Sequence, residues 1–236
     1  MKNSRDRSYT YTGRQKTRPG RHQKAGLVIL TAVLALMIVF KGIVPAVARM
    51  NDYREIADAD LTAEKPEMDV QLLTVNPYSR PGTETDRIRG IVIHYTANPG
   101  ATAQQNRDYF ESLKDTGKTT VSSNFIIGLD GEIIQCIPTW EVAYASNDRN
   151  TDTVSIECCH PDETGEFNEA TYLSMVRLTA WLCQKFELSS DDVIRHYDVT
   201  GKNCPKYFVE NEEEWIIFKE NIQKAIENTE KKGAES

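Results

Sequence analysis

The chain has 236 residues, 39% of them hydrophobic, with 28 basic and 35 acidic side chains and a net charge of −7. That length holds one domain of ordinary size plus additional segments, and the apolar fraction excludes a wholly disordered chain. Beyond residue 24 the balance is 20 basic to 34 acidic side chains, a net −14, which excludes the basic footprint of a nucleic-acid binder from that part.

Residues 1–24 carry eight Lys or Arg against Asp6 alone, and Ala25 to Phe40 then run sixteen residues without a charge. Lys41 interrupts, and Gly42 to Ala48 continue apolar as far as Arg49. The 24 residues from Ala25 to Ala48 suffice to cross about 30 Å of hydrocarbon, with Lys41 able to snorkel toward the headgroups. A basic flank ahead of the span puts 1–24 in the cytoplasm, beside anionic lipid, and the rest outside. The reading is a single-pass signal anchor with an extracellular domain; the alternative is a signal peptide cleaved after Ala46-Val-Ala48, which has the small-x-small form of a processing site.

Residues 49–67 are charge-rich and read as a linker, leaving 68–228 as the folded domain and 229–236 as a charged tail. Asn76 to Gly82 is rich in turn formers. Gly90 to Tyr95 is a β-branched strand, and Thr102 to Leu113 places Ala103, Tyr109, Phe110 and Leu113 at helical spacing. Phe125-Ile-Ile-Gly-Leu and Glu132-Ile-Ile-Gln-Cys-Ile flank Asp130-Gly131, the strongest hairpin signal in the chain. Thr153 to Cys158 is a further strand, Asn168 caps a helix from Glu169 to Phe186, and Asn211 opens a last helix whose Trp215, Ile216, Ile222, Ala225 and Ile226 dock on the domain. Strands interleaved with helices predict an α/β domain with a central mixed sheet flanked by helices.

The chemistry concentrates in a few positions. His94 ends the run Gly90-Ile-Val-Ile, and His196-Tyr-Asp-Val-Thr-Gly-Lys202-Asn-Cys204 packs a histidine, a lysine and a cysteine into nine positions. His94, His196 and Cys204 supply three N and S ligands, the count of a catalytic rather than a structural zinc. Strand alternation puts Thr153, Ser155 and Glu157 on one face, so Glu157 reaches a strand end as a candidate general base. Lys202 lies two residues before Cys204, close enough for its ammonium to stabilise an oxyanion. Asp198 and the backbone near Ser155 are candidate partners for the imidazoles. Five cysteines, an odd number, leave at least one unpaired, and Cys136, Cys158, Cys159 and Cys183 read as small buried hydrophobes.

Four ordered segments, Ile-Val-Ile-His94-Tyr-Thr-Ala, Ser122-Ser-Asn-Phe-Ile-Ile-Gly-Leu-Asp-Gly, Val-Ser-Ile-Glu157 and Arg-His196-Tyr-Asp through Lys202-Asn-Cys204-Pro, resemble the zinc-dependent N-acetylmuramoyl-L-alanine amidases of the type 2 class, relatives of the peptidoglycan recognition proteins. The resemblance covers roughly residues 70–228. It implies Zn2+ on His94, His196 and Cys204, Glu157 as general base and Lys202 as stabiliser of the tetrahedral intermediate. It also implies hydrolysis of the bond between N-acetylmuramic acid and L-alanine in peptidoglycan, or a non-catalytic peptidoglycan-binding protein of the same fold; the chain is read as a monomer. Loss of the cysteine ligand would mark the binding protein, and Cys204 is present.

Two departures stand out. Ser123 stands where one branch of the family has a catalytic tyrosine, and Tyr144-Ala-Ser-Asn147 stands where many relatives read Trp-His-Ala-Gly. Tyr144, and Asn124 where relatives often have His or Asn, are candidate substrate contacts.

Overall fold

In the computed structural model residues 61–235 are described, so the predicted anchor at 25–48 and the basic tail at 1–24 lie outside the described residues. Among the described residues no helix is long and apolar enough to cross a membrane.

Six strands form one sheet: β1 (Asp69–Val70), β2 (Gly90–Tyr95), β3 (Phe125–Ile127), β4 (Ile133–Gln135), β5 (Thr153–Cys158) and β6 (Val193–Arg195). Their spatial order is β1-β4-β3-β5-β2-β6. β3 and β4 pair antiparallel and all other neighbours pair parallel, which makes the sheet mixed as expected. β3 and β4 are the predicted hairpin. Gly131 sits in their connection at φ 81°, and a Cβ there would meet the carbonyl oxygen of Ala170 at 2.8 Å, so glycine alone fits.

The central strands β2 and β5 are buried on both faces, which is why they read as continuous apolar runs. One face carries Ile91, Ile93, Phe125, Ile127, Val154 and Ile156 into the main core. Two helices cover that face: α2 (Glu169–Phe186) and α5 (Glu212–Glu235), contributing Tyr172, Val176, Phe218 and Ile222. Helix α1 (Ala103–Thr116) covers the other face, where Ala103 and Phe110 pack against Ile126, Ile134 and Cys136. Two short helices, α3 (His196–Thr200) and α4 (Lys206–Glu210), follow β6.

The caps follow local chemistry. Thr102 accepts from Gln105 N–H while the Gln105 side chain accepts from Thr102 N–H, a reciprocal capping box at the start of α1. Asn168 caps α2 as predicted, accepting from Thr171 N–H at 2.9 Å. Asn211 directly precedes α5, but its amide donates back to Tyr207 O at 2.9 Å.

Four expectations need correction. Tyr109 is 48% and Ile216 50% exposed, so neither docks. On α5 the buried side chains include Trp215, Phe218, Ile222 and Ala225, spaced by three and four, and Ile216 lies about 100° of helix rotation away from Trp215, off that face. The linker 49–67 is not a linker throughout, because Leu61 and Ala63 are fully buried in the main core. Nor is 229–236 a free tail: α5 continues to Glu235, Thr229 Oγ1 accepts from Ala63 N–H at 2.7 Å, and Asn228 donates to Leu61 O at 3.0 Å. An amino-terminal segment and the last helix therefore zip together in a contact that no local pattern announces.

Cys136, Cys158, Cys159 and Cys183 are free and buried, as small hydrophobes would be, and Cys204 is free and buried as well.

Candidate active site

Parallel strands carry their functional residues out at the C-terminal ends, and the site sits there. His94 of β2 and Glu157 of β5 are direct register partners, so their side chains leave the same face of the sheet side by side. Ser155 on that face is consumed by structure, its N–H donating to Asn124 Oδ1 at 3.0 Å.

His196 arrives from the other side of β2, on the first residue of α3 directly after β6. Buried Arg195 holds this junction: its backbone N–H donates to Asp198 Oδ2 at 2.8 Å, and its guanidinium donates to Asp198 Oδ1 at 2.9 Å, to Phe208 O at 3.0 Å and to Glu212. Asp198, expected beside an imidazole, serves this arginine instead. Gly201 ends α3 at φ 76°, turning the chain so that Cys204 O accepts from Tyr197 N–H at 2.8 Å and Cys204 returns beside His196.

The ligand atoms of His94, His196 and Cys204 all lie within 4.8 Å of one another. Cys204 Sγ is 3.8 Å from His94 Nδ1, and the two imidazole centroids are 4.7 Å apart, tilted by 58°. All three side chains are buried. His196 Nδ1 is shut off from solvent with no hydrogen-bond partner, an arrangement that costs free energy unless a ligand meets the nitrogen. Two nitrogens and a sulfur, converging and under-satisfied, are the donor set of a tetrahedral zinc site with one position left over. The residues present fit zinc.

Electrostatics agree with that chemistry. Burial holds His94 well below the usual imidazole range, reinforced by His196 and Lys202, and burial with Lys202 lowers His196, so both rings are neutral donors at neutral pH. Burial pushes the Cys204 thiol up to about 12, with Glu157 adding to the rise. Glu157 is pushed up to about 8, again by burial, against the opposing pull of Lys202. Its Oε2 is buried without a partner. A carboxyl that exchanges its proton near neutrality is matched to general acid-base work.

These residues line one cleft of about 330 Å³ together with Tyr95, Thr120, Val121, Tyr144, Ala145, Asn147 and Asn150. Lys202, Glu157, His94, His196 and Cys204 are thus brought together as expected, and Tyr144 stands on the wall. Asn124 does not reach it. It is 1% exposed, its amide nitrogen donates to Pro138 O at 3.2 Å and Glu141 O at 3.3 Å, and its oxygen accepts from Ser155. Its polar atoms instead tie the start of β3 to β5 and to the loop after β4. Ser123 is fully buried, with Oγ 2.8 Å from Phe125 O and 2.9 Å from Ser155 O.

Two residues of the site lie in the segment that departs from the family pattern, but the sequence assigned them no role. Ser146 Oγ lies 3.3 Å from His94 Nε2, and Asn147 Oδ1 lies 3.1 Å from His196 Nε2. Serine and asparagine in a loop are ordinary turn formers, and only the folded loop brings them to the imidazoles.

The sequence profile described as N-acetylmuramoyl-L-alanine amidase matches residues 84–207. The chain is 34% identical over 166 residues to N-acetylmuramoyl-L-alanine amidase CwlL of Bacillus licheniformis, a match covering 65% of this chain and 46% of that protein. It is 33% identical over 172 residues to N-acetylmuramoyl-L-alanine amidase BlyA of Bacillus subtilis (strain 168), covering 64% and 45%. The match thus spans about half the length of these curated relatives. Among solved structures, the catalytic domain of XlyA superposes with a TM-score of 0.57 at 26% identity, covering 66% of this chain and 99% of that one. A mutant endolysin from Bacillus subtilis gives 0.57 and 26%, covering 67% and 99%. The matched stretch opens before β2 and closes after Cys204, enclosing each of the five residues that converge on the cleft, and the chain belongs to the N-acetylmuramoyl-L-alanine amidase family.

Proposed function

We propose that this protein is a zinc-dependent peptidoglycan amidase that cuts the amide between N-acetylmuramic acid and the L-alanine of the stem peptide. The observation that carries the reading is the convergence of His94, His196 and Cys204 with Glu157 and Lys202 in one cleft of a chain of this family.

His94, His196 and Cys204 would hold the metal. When bound, zinc supplies a Lewis acid that activates water near neutral pH and polarises the scissile carbonyl. Glu157, which exchanges its proton at about 8 before any cation is added, takes the proton of the attacking water and returns it to the leaving amine. The Lys202 ammonium pulls against the effect of burial and favours the ionised form of this base at the start of the cycle. Lys202 stands exposed at the cleft, and its charge stabilises the oxyanion that develops on the carbonyl oxygen. Tyr144 on the wall offers its ring to the sugar or the peptide.

The basic segment followed by the apolar run at 25–48 supports a single-pass anchor that holds the domain on the outer side of the membrane, where its polymeric substrate lies. The family and the extracellular placement together favour wall polymer over a cytoplasmic peptide.

The test is digestion of purified peptidoglycan by the full chain, with and without a chelator, read by mass spectrometry. Metal-dependent release of peptides with free L-alanine amino termini, leaving the glycan strands intact, is expected. Binding without such products, from a zinc-loaded folded protein, would transfer the assignment to a non-catalytic peptidoglycan receptor.

A further inference from the structure

We propose that the adjacent side chains of Ser146 and Asn147 form a clamp that accepts the Nε2 hydrogens of His94 and His196, so that each imidazole presents Nδ1 to a shared metal. The inference rests on the metal-site reading above and adds residues to it.

A neutral imidazole carries its hydrogen on one nitrogen and its lone pair on the other, so whatever accepts the hydrogen decides which nitrogen is free to ligate. Asn147 Oδ1 has no hydrogen to give. At 3.1 Å from His196 Nε2 it requires the hydrogen on that nitrogen, and the atom left with a lone pair is Nδ1, which is buried and has no partner. His94 has the same arrangement: Ser146 Oγ is 3.3 Å from Nε2 and can accept its hydrogen, while Nδ1 faces Cys204 Sγ at 3.8 Å. Both rings therefore turn the same nitrogen inward and the same nitrogen toward one dipeptide.

The two histidines come from different elements, β2 and α3, yet their acceptors are consecutive residues. That dipeptide is itself braced. Asn150 Oδ1 accepts from Ala145 N–H at 3.0 Å and Ser146 N–H at 2.6 Å. Asn147 adopts φ 53°, a left-handed conformation that asparagine tolerates better than most side chains, and opens a 3₁₀ turn over Asn147–Arg149. Arg149 then pairs with Asp152 at 2.7 Å, and Thr153, the first residue of β5, donates to Arg149 O. One short loop thus couples both metal-ligand candidates to the strand that carries Glu157. Partners of this kind orient ligating histidines, and their loss typically weakens metal binding about tenfold to a hundredfold. Relatives that read Trp-His-Ala-Gly have no side-chain acceptor at these two positions, so the clamp is a feature of this chain's own Ser146-Asn147.

The experiment has two readouts besides activity. The first is the ring tautomer in the unsubstituted full chain, from long-range nitrogen–proton NMR spectra of protein labelled at its four histidines. Hydrogens on Nε2 of His94 and His196 are expected, and hydrogens on Nδ1 would overturn the clamp whether or not any variant folds. The second is zinc affinity by competition with a chromophoric chelator. Ser146→Ala and Asn147→Gly should each lose about tenfold, and the double variant more, while Asn147→Asp, which still accepts a hydrogen bond, should restore binding. Zinc affinity of the double variant within twofold of the parent would sink the clamp and leave the three-ligand site standing. A parent chain that takes up no zinc would remove both.

Discussion

His94 and Glu157 are register partners on the adjacent parallel strands β2 and β5, so a metal-ligand candidate and a candidate base emerge from the sheet one strand spacing apart and on the same face. Neighbouring strands lie about 4.8 Å apart, which sets the separation of the two side chains by the sheet itself rather than by a flexible loop. A division of labour follows. Glu157→Gln and Lys202→Ala should retain stoichiometric zinc and lose rate by about a hundredfold or more, the equivalent of about 3 kcal/mol in the transition state. Zinc content by atomic spectroscopy beside kcat on peptidoglycan checks this, and undiminished turnover in Glu157→Gln refutes the base assignment.

His94→Ala and Cys204→Ser should lose zinc and activity together, since each removes one of three converging donors. The Cys204 thiol, pushed up to about 12 by burial, must give up its proton on coordination, so zinc binding releases a proton and weakens as pH falls. Calorimetry in buffers of different ionisation enthalpy should detect that proton, and Cys204→Ser should abolish it.

Chelator-treated protein should show a pH signature from Glu157. Its carboxyl is raised from 4.5 to about 8, so between those values the folded state holds a proton that the unfolded state has released. Stability from this group is therefore greatest below pH 4.5 and is lost as pH rises toward 8. The two lowered histidines act in the opposite sense below 6.5, which leaves pH 6.5 to 8 as the window where Glu157 dominates. Thermal melts across that window should fall for the parent and stay flatter for Glu157→Gln; equal slopes would remove the buried carboxyl as their cause.

Leu61→Ala should destabilise the fold by about 2–4 kcal/mol, the usual cost of emptying a fully buried leucine site. A chain beginning at residue 68 should melt at lower temperature than one beginning at residue 50, because it lacks Leu61, Ala63 and their contacts with Asn228 and Thr229. Denaturant titration measures both, and a change under 1 kcal/mol for Leu61→Ala would mean that this segment does not pack as described.

Asn124→Ala should cost stability and leave substrate affinity nearly unchanged. Its amide bridges Pro138, Glu141 and Ser155, and truncation strands those buried groups at about 1–3 kcal/mol. A raised KM with an unaltered melting temperature would return Asn124 to the substrate contacts.

Local patterns carried a good deal of this protein. The apolar run 90–95, the Asp130-Gly131 turn and the Asn168 cap each specify their element from a few neighbouring residues, because strand burial, turn dihedrals and orphaned helix N–H groups are local demands. The donors His94, His196 and Cys204 were legible by chemical type, as few side chains can bind zinc. Face assignment on helices was only partly legible. A tyrosine at 109 and an isoleucine at 216 are apolar enough to dock, yet each lies a helical step away from the face the sheet occupies.

What the sequence determined by itself was the set of elements, the ligand types and the family likeness, all of which depend on residue identity and short spacing. Tertiary structure alone decided which groups meet. It brought Cys204 to His94 across 110 residues, closed Leu61 against Asn228 across 167, buried Asn124 in the sheet framework and set Ser146 and Asn147 on the two imidazoles. The reason is physical: a contact between distant segments depends on sheet order, register and loop path together, and no stretch of chain encodes those separately from the packing of the whole domain.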